Sequence, residues 1–238
     1  RLQGDWSSDV CSSDLLGQLQ GRLQLAASNS QGQWLAETLD AEMQLTQPSA
    51  QLLPQLPEAF RPQRLLLRVQ AGEPPANLRT DLEGRTLPLS VLLEGQGSAP
   101  FQLQGQLALA NAPPWGVQWQ QTRLQARAPA LTLDSLHLSA LDLQLNLSGH
   151  ADAHGLTLQL ESGSRLQLAQ LQQADLQLQQ LSINSMGLQL LAQYPADAPL
   201  HWQLQGPLDL QLGNAQHPQL KPQSWRVHGQ LDANAPRQ

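Results

Sequence analysis

From residue 16 onward, apolar and polar positions alternate with a period of two. Leu87, Leu89, Val91 and Leu93 share one parity. So do Phe101, Leu103, Gly105, Leu107 and Leu109, with Gln102, Gln104 and Gln106 between them. The longest case is Leu200, Trp202, Leu204, Gly206, Leu208, Leu210 and Leu212, with His201, Gln203, Gln205 and Asp209 on the other parity. Alternate side chains of a strand point to opposite faces, so each segment makes one Leu wall and one Gln wall. A helix with this pattern would scatter Leu around its circumference and bury nothing coherently. Leu and Gln both favour helix by propensity, so here the pattern overrides propensity.

The alternation predicts strands at about 17–27, 33–46, 64–71, 76–83, 86–94, 100–110, 115–127, 129–134, 135–148, 155–161, 164–168, 174–184, 187–193, 199–212 and 223–233. Turn residues fall between them, at Asn29–Gln31–Gly32, Asn111–Pro113–Pro114 and Glu161–Ser162–Gly163, and links this short join antiparallel neighbours. Leu136 and Leu138 are even, whereas Leu141, Leu143, Leu145 and Leu147 are odd. A parity slip inside one strand would turn the Leu wall over, so Ser139–Ala140 is expected to be a bulge or a corner. Over 164–182, Leu171, Ala174, Leu178 and Leu181 also fit a helical stripe, and strand is the preferred assignment. The period fails over 46–63. There Leu52, Leu53, Leu56 and Phe60 stand at helical spacing behind a Ser49 cap, with Pro54 and Pro57 breaking the run, as in a surface connection with a helical turn.

Of 238 residues, 52 are Leu and 39 are Gln, and only 13 % are charged, against roughly 25 % in an ordinary globular domain. A formal charge of −6 offers no electrostatic footprint for nucleic acid. Lys221 is the single Lys, so there is no polybasic patch for anionic lipid. No apolar run is long enough for a membrane-spanning helix, and 4 % aromatics is too few for the girdles of a membrane barrel.

Asp5–Leu15 reads DWSSDVCSSDL, which back-translates to a common short-read sequencing adapter. Residues 1–15 are therefore set apart as translated adapter, and 16–238 as one segment of a longer protein. Cys11 then leaves the remainder without cysteine, hence without a disulfide frame or thiolate site.

An apolar-x-Gly-x-Leu unit recurs around Gly21, Gly105, Gly206 and Gly229, each Gly in register with the Leu residues. Gly inside a strand marks a bend or a close approach. Outside residues 1–15 there are four Val and one Ile, so the wall is almost uniformly Leu. Such a wall is a poor jigsaw core but a good sleeve for hydrocarbon. The fold expected is all-β: an elongated, twisted antiparallel sheet curled into an open hydrophobic groove. Leu103, Leu107, Leu109, Leu143, Leu145, Leu158, Leu204, Leu208 and Leu210 would line it, with Gly105 and Gly206 at bends.

These Gly-punctuated strands, the Gln-rich outer faces, the sparse charge and the Pro-broken connection resemble the AsmA-like envelope proteins. Gly206–Leu212, then Pro218–Trp225 and Val227-His-Gly229-Gln-Leu231, are most similar to the YdbH branch, beside TamB and YhdP. The likeness covers most of 16–238. It implies an inner-membrane anchor through an N-terminal helix not seen in this sequence, a periplasmic hydrophobic groove, and an outer-membrane contact. The implied activity is non-enzymatic conduction of phospholipid between the two membranes, with membrane components at either end as partners and no cofactor.

Other chemistry is set aside. His150, Asp152 and His154 are metal-ligand types at i, i+2 and i+4. Flanked by Gly149 and Gly155, they read as a solvated hairpin loop, not a metal site. There is no nucleophile elbow, phosphate loop or His-Glu-x-x-His, and Asp134, Asp142 and Asp209 have no visible partner of matched role, so an enzyme is not expected. The competing expectations are a structural or adhesive secreted β-solenoid or sandwich, and an outer-membrane barrel.

Overall fold

The computed structural model describes residues 2–13, 17–30, 33–48, 61–73, 77–79, 86–111, 113–133, 135–185, 187–193, 201–217 and 220–234. They form fourteen strands: β1 Leu2–Ser13, β2 Gly17–Ser30, β3 Gln33–Thr46, β4 Arg64–Ala71, β5 Thr86–Gln96, β6 Phe101–Ala110, β7 Gly116–Leu133, β8 Leu136–Asp152, β9 Gly155–Leu160, β10 Ser164–Gln173, β11 Leu176–Ser185, β12 Gln189–Gln193, β13 His201–His217 and β14 Leu220–Asn234. All belong to one antiparallel sheet, with β1 paired only to β2 and β14 only to β13. Among the described residues no second sheet covers it, and its two end strands do not meet, so it is neither a sandwich nor a closed barrel. An antiparallel meander is also not the rung architecture of a solenoid.

β9 and β10 both pair antiparallel with β8, β9 along Leu147–Ala151 and β10 along Leu136–Gln144. They are consecutive stretches of one strand line. Glu161–Gly163 is therefore an interruption within that line and not, as expected, a hairpin turn between antiparallel neighbours. β11 and β12 share the edge of β13 in the same way. With these two breaks understood, the chain is a plain up-and-down meander.

Other boundaries move. The two strands expected at 115–127 and 129–134 are one strand, β7. β8 runs on to Asp152, so His150 and Asp152 lie in a strand and the turn is at 153–154. The 164–182 region is strand, joined by a turn at Ala174–Asp175. Asn77–Arg79, inside the strand expected at 76–83, is not a strand, and the rest of that range, 76 and 80–83, lies outside the described residues. The helical turn expected over 49–60 also lies outside them; the ends of that connection come together where Gln47 N donates to Gln63 O at 2.8 Å. The adapter-like segment adds β1 through main-chain pairing, and a ladder of N–H and C=O groups is indifferent to the side chains that accompany it.

Because strands are paired in register, Leu residues fall into rows that cross the sheet. One row is Leu19, Leu45, Leu65, Gly95, Phe101, Ala126, Leu143, Leu166, Ile183, Leu210 and Val227. At about 4.8 Å per strand it runs about 48 Å.

In five neighbouring strands the apolar spacing steps from two to three at one level: Ala128/Leu131, Leu138/Leu141, Leu168/Leu171, Leu178/Leu181 and Leu212/Ala215. The residues in the steps, Pro129, Ala140, Ala169, Gln180 and Gly213, form a line, and Ala140 and Gln180 have φ of 48° and 55°. Register is unchanged across this line in the pairings between them. All five line residues are exposed, whereas Ala128, Leu131, Leu168 and Leu212 are buried. Ala128 and Leu131 form a cluster with Ala99, against which Leu138 and Leu141 pack. The sheet is therefore creased toward its Leu face, with the step residues on the outside of the bend. Ser139–Ala140 is the corner the parity slip called for, and it extends through four more strands.

Candidate functional site

The expected groove residues all lie on the Leu face, but in different rows. Leu107, Leu158 and Leu204 share a row with Leu89, Trp119, Gly149 and Leu190. Leu109 lies in the next, between Leu87 and Val117. Leu143 and Leu210 belong to the long row given above. Leu103 and Leu145 are joined through Leu124, and Leu208 lies beyond two serines, since Ser164 faces Ser185 and Ser185 faces Leu208.

Of the nine leucines, eight are half-buried and Leu109 is exposed at 37 %. Their neighbours in the rows, Phe101, Trp119, Leu166, Ile183 and Leu190, belong to the same surface, and the sequence reading did not name them as lining. Phe101 stands at the same parity as Leu103 in its own strand, so its signal was available; the other four lie in β7, β10, β11 and β12, from which no lining residue was named.

A second line of irregularities crosses the sheet about seven residues from the crease on β13, roughly 23 Å at strand rise. In β7 the pair Gln121–Thr122 opposes Gly105 as a bulge, with Gln121 at φ 50°. Next come the breaks at 161–163 and 187–188, where Glu161 N donates to Asn146 O and Gly187 N to Leu160 O. The line reaches Gly206, buried, at φ 140° and with Leu188 Cα 2.7 Å from where a Cβ would stand. Both expected bends, Gly105 and Gly206, are on this line. Ser164 and Ser185 lie beside it on the Leu face, buried, with their hydroxyls tied to main chain: Asn146 N donates to Ser164 Oγ at 3.0 Å and Leu188 N to Ser185 Oγ at 3.2 Å. Ser164 Oγ also donates to Asn146 O at 3.2 Å, so its hydroxyl is occupied by main chain within the apolar wall.

Charge is kept to the other face. Arg22, Glu42 and Arg68 form a cross-strand ladder there, the latter two 3.4 Å apart, and Gln104 and Arg123 continue it beyond Leu92. Arg165, Asn184, Asp209 and His228 follow one another in a row of the same face. Two hollows open on that side. One of about 540 Å³ lies among Glu42, Arg68, Gln70, Ser90, Gln104 and Gln106; another of about 420 Å³ lies among Gln104, Gln121, Arg123, Asn146 and Glu161. Amides and charges of both signs suit them to water.

His150, Asp152 and His154 do not converge on a metal. The Asp152 carboxylate accepts from His154 N at 2.8 Å, from Gly155 N at 3.2 Å and from the Arg79 guanidinium at 3.0 Å. The main-chain N–H of His154 is the largest cause holding its pKa below the ordinary value; burial, next in size, pulls upward, and the Arg79 bond, the Arg79 charge and the Gly155 N–H each add a smaller pull downward. Among the described residues no group of three metal-ligating side chains is found. What Asp152 does is hold a loop. Gln118, buried, accepts from Arg79 N at 2.9 Å and donates to Asn77 O at 2.6 Å, so one side-chain amide fastens 77–79 across the Gln face.

Comparisons with protein-family models, with curated proteins and with solved structures find no match.

Proposed function

We propose that this chain is a segment of a non-enzymatic conduit, in which phospholipid acyl chains lie along the Leu face while headgroups face water. The observation that carries the reading is the set of apolar rows crossing one face of a creased sheet, over which no second sheet lies among the described residues, with ionised side chains on the other. Each CH₂ withdrawn from water contributes about 0.8 kcal/mol, so a tail of about 16 carbons favours such a surface by roughly 12 kcal/mol. A near-uniform Leu surface demands no particular fit, and a guest can slide along it without climbing from one specific pocket to the next. The setting is the one implied by the AsmA-like resemblance: the periplasm, with inner- and outer-membrane components as partners through parts of the protein beyond this sequence.

The test is photo-crosslinking by phospholipid carrying a diazirine in its tail. Crosslinks should map to Leu-face residues, and Leu107→Arg or Leu208→Asp, each placing a charge in a row, should abolish them while leaving the far-ultraviolet circular dichroism unchanged. Gln104→Glu, on the other face, should leave labelling intact. Equal labelling of all three folded variants would end the proposal.

A further inference from the structure

On the polar face, Asn146 of β8 lies between two irregularities. On one side β7 carries the bulge at Gln121–Thr122; on the other the β9–β10 line breaks at 161–163. A bulge bends its strand and re-aims the side chains beside it. Between the two lies the hollow of about 420 Å³ bounded by Gln104, Gln121, Arg123, Asn146 and Glu161. Sites for small ligands span roughly 300–1,000 Å³.

Two opposite charges line this hollow without pairing. Arg123 is the ladder neighbour of Asn146, and Glu161 N donates to Asn146 O from the other side. The two are therefore two strand spacings apart, about 10 Å at the main chain. Among the described residues neither makes an ion pair, and both are open to a solute, Arg123 exposed and Glu161 half-buried. In the adjoining hollow, by contrast, Glu42 and Arg68 stand on neighbouring strands 3.4 Å apart and satisfy each other. The amides match the two charges. Asn146 Nδ2 is spent on Ser162 O at 2.9 Å, so what Asn146 can offer a ligand is its acceptor Oδ1, at the Glu161 end. Gln104, the ladder neighbour of Arg123, brings an amide donor to the other end.

We propose that this hollow binds a small zwitterion, a solute carrying an ammonium and an oxyanion on a linker of a few atoms. The oxyanion takes the fork of the Arg123 guanidinium and the Gln104 amide. The ammonium donates to the Glu161 carboxylate and to Asn146 Oδ1. A lone anion or a lone cation would match one charge and leave the other unmatched, so the arrangement selects both groups in one molecule. The hollow is on the face opposite the apolar rows, and its occupant is therefore a free solute and not the headgroup of a lipid whose tails lie along those rows. Nothing in this assignment rests on the lipid reading.

Isothermal titration calorimetry of the whole chain with O-phosphoethanolamine should give saturable binding, at least about fivefold tighter than inorganic phosphate or ethylamine. Arg123→Gln should weaken it about fivefold and erase the preference over ethylamine; Glu161→Gln should weaken it as much and erase the preference over phosphate. Arg68→Gln, in the adjoining hollow, should leave the affinity unchanged. Dihexanoyl phosphatidylethanolamine, which carries the same two groups on a lipid, should bind no more tightly than O-phosphoethanolamine. No saturable heat, equal affinity for the three small probes, indifference to both substitutions, or tighter binding of the lipid would overturn the proposal. The comparison of probes uses the unaltered chain, so it decides the matter even where a variant fails to fold.

Discussion

The crease between Ala128 and Leu131 and the loop fastened over Gln118 are two ways of making an interior from a single sheet. At the crease, panels on either side of Pro129 and Ala140 turn toward each other and Ala99 of the β5–β6 connection joins them, so that Leu131 is left 2 % exposed among Ala99, Ala128, Leu138 and Leu141. At the loop, Asn77–Arg79 crosses the opposite face and is held by the amide of Gln118 and by the Arg79–Asp152 pair, beside Ala108 and Ala110, which are also buried. The first is built from apolar contacts and a repeated local step in the sequence. The second is built from polar bonds between residues 39 and 73 positions apart. The two should therefore respond differently to truncation, to a change of backbone preference and to pH.

The largest effect is expected at the crease. Leu131→Ala removes a fully buried side chain that nothing else can replace, and should cost about 3 kcal/mol in urea unfolding. Leu25→Ala, where the same Leu/Gln alternation leaves the side chain 43 % exposed, should cost less than about 1 kcal/mol. Similar losses at the two sites would mean that the crease buries nothing special. Next comes Gln118→Ala, expected to cost about 2 kcal/mol because it removes the hydrogen bonds that the buried amide makes to both Asn77 O and Arg79 N. It should also raise amide hydrogen exchange at Arg79 while leaving the crease protected, which separates a local release from general unfolding.

The crease was half legible in the sequence and the loop was not legible at all. Leu138/Leu141 revealed its step because Leu stands on both sides. Leu168/Leu171 and Leu178/Leu181 carry the same step, but a spacing of three is also helical, and it was the source of the competing stripe over 164–182. Ala128/Leu131 and Leu212/Ala215 were hidden because Ala is a weak marker of a buried position. Parity placed every groove residue on its face correctly, since period alone decides that. It could not say which Leu meets which across the sheet, because register depends on the bulge at Gln121 and the breaks at 161–163 and 187–188. Ser164 and Ser185 follow their strands' apolar parity and entered the wall unnoticed. For the loop, the alternation put Asn77-Leu-Arg79 in a strand, and its true partners are decided only when β7 and β8 are side by side.

A smaller effect sharpens the backbone side of the comparison. Ala140 holds φ 48° inside a strand, a conformation costing an L-residue roughly 1–2 kcal/mol that Gly adopts freely. Ala140→Gly should therefore stabilise the chain by up to about 1 kcal/mol, the greater freedom of Gly in the unfolded chain offsetting part of the relief. Ala140→Val, β-branched at the same φ, should destabilise it. Urea midpoints of the two variants should fall on opposite sides of the parent.

The smallest effect distinguishes the loop by pH. Asp152 is held below its ordinary value of 3.8 by the N–H groups of His154 and Gly155 and by Arg79. A carboxylate with a depressed folded-state pKa stabilises the fold above its unfolded pKa, and that stabilisation is lost as pH falls through the lower folded value. Between pH 5 and 8 the parent and Asp152→Asn should therefore differ by a constant amount, under about 1 kcal/mol because the ion pair is partly solvated. The difference should shrink only below about pH 4. Leu131→Ala should show no such convergence with the parent, since the substitution removes no titratable group. A pH series of urea midpoints for both variants checks this: convergence in acid for Asp152→Asn alone would show the loop held by charge and the crease by burial.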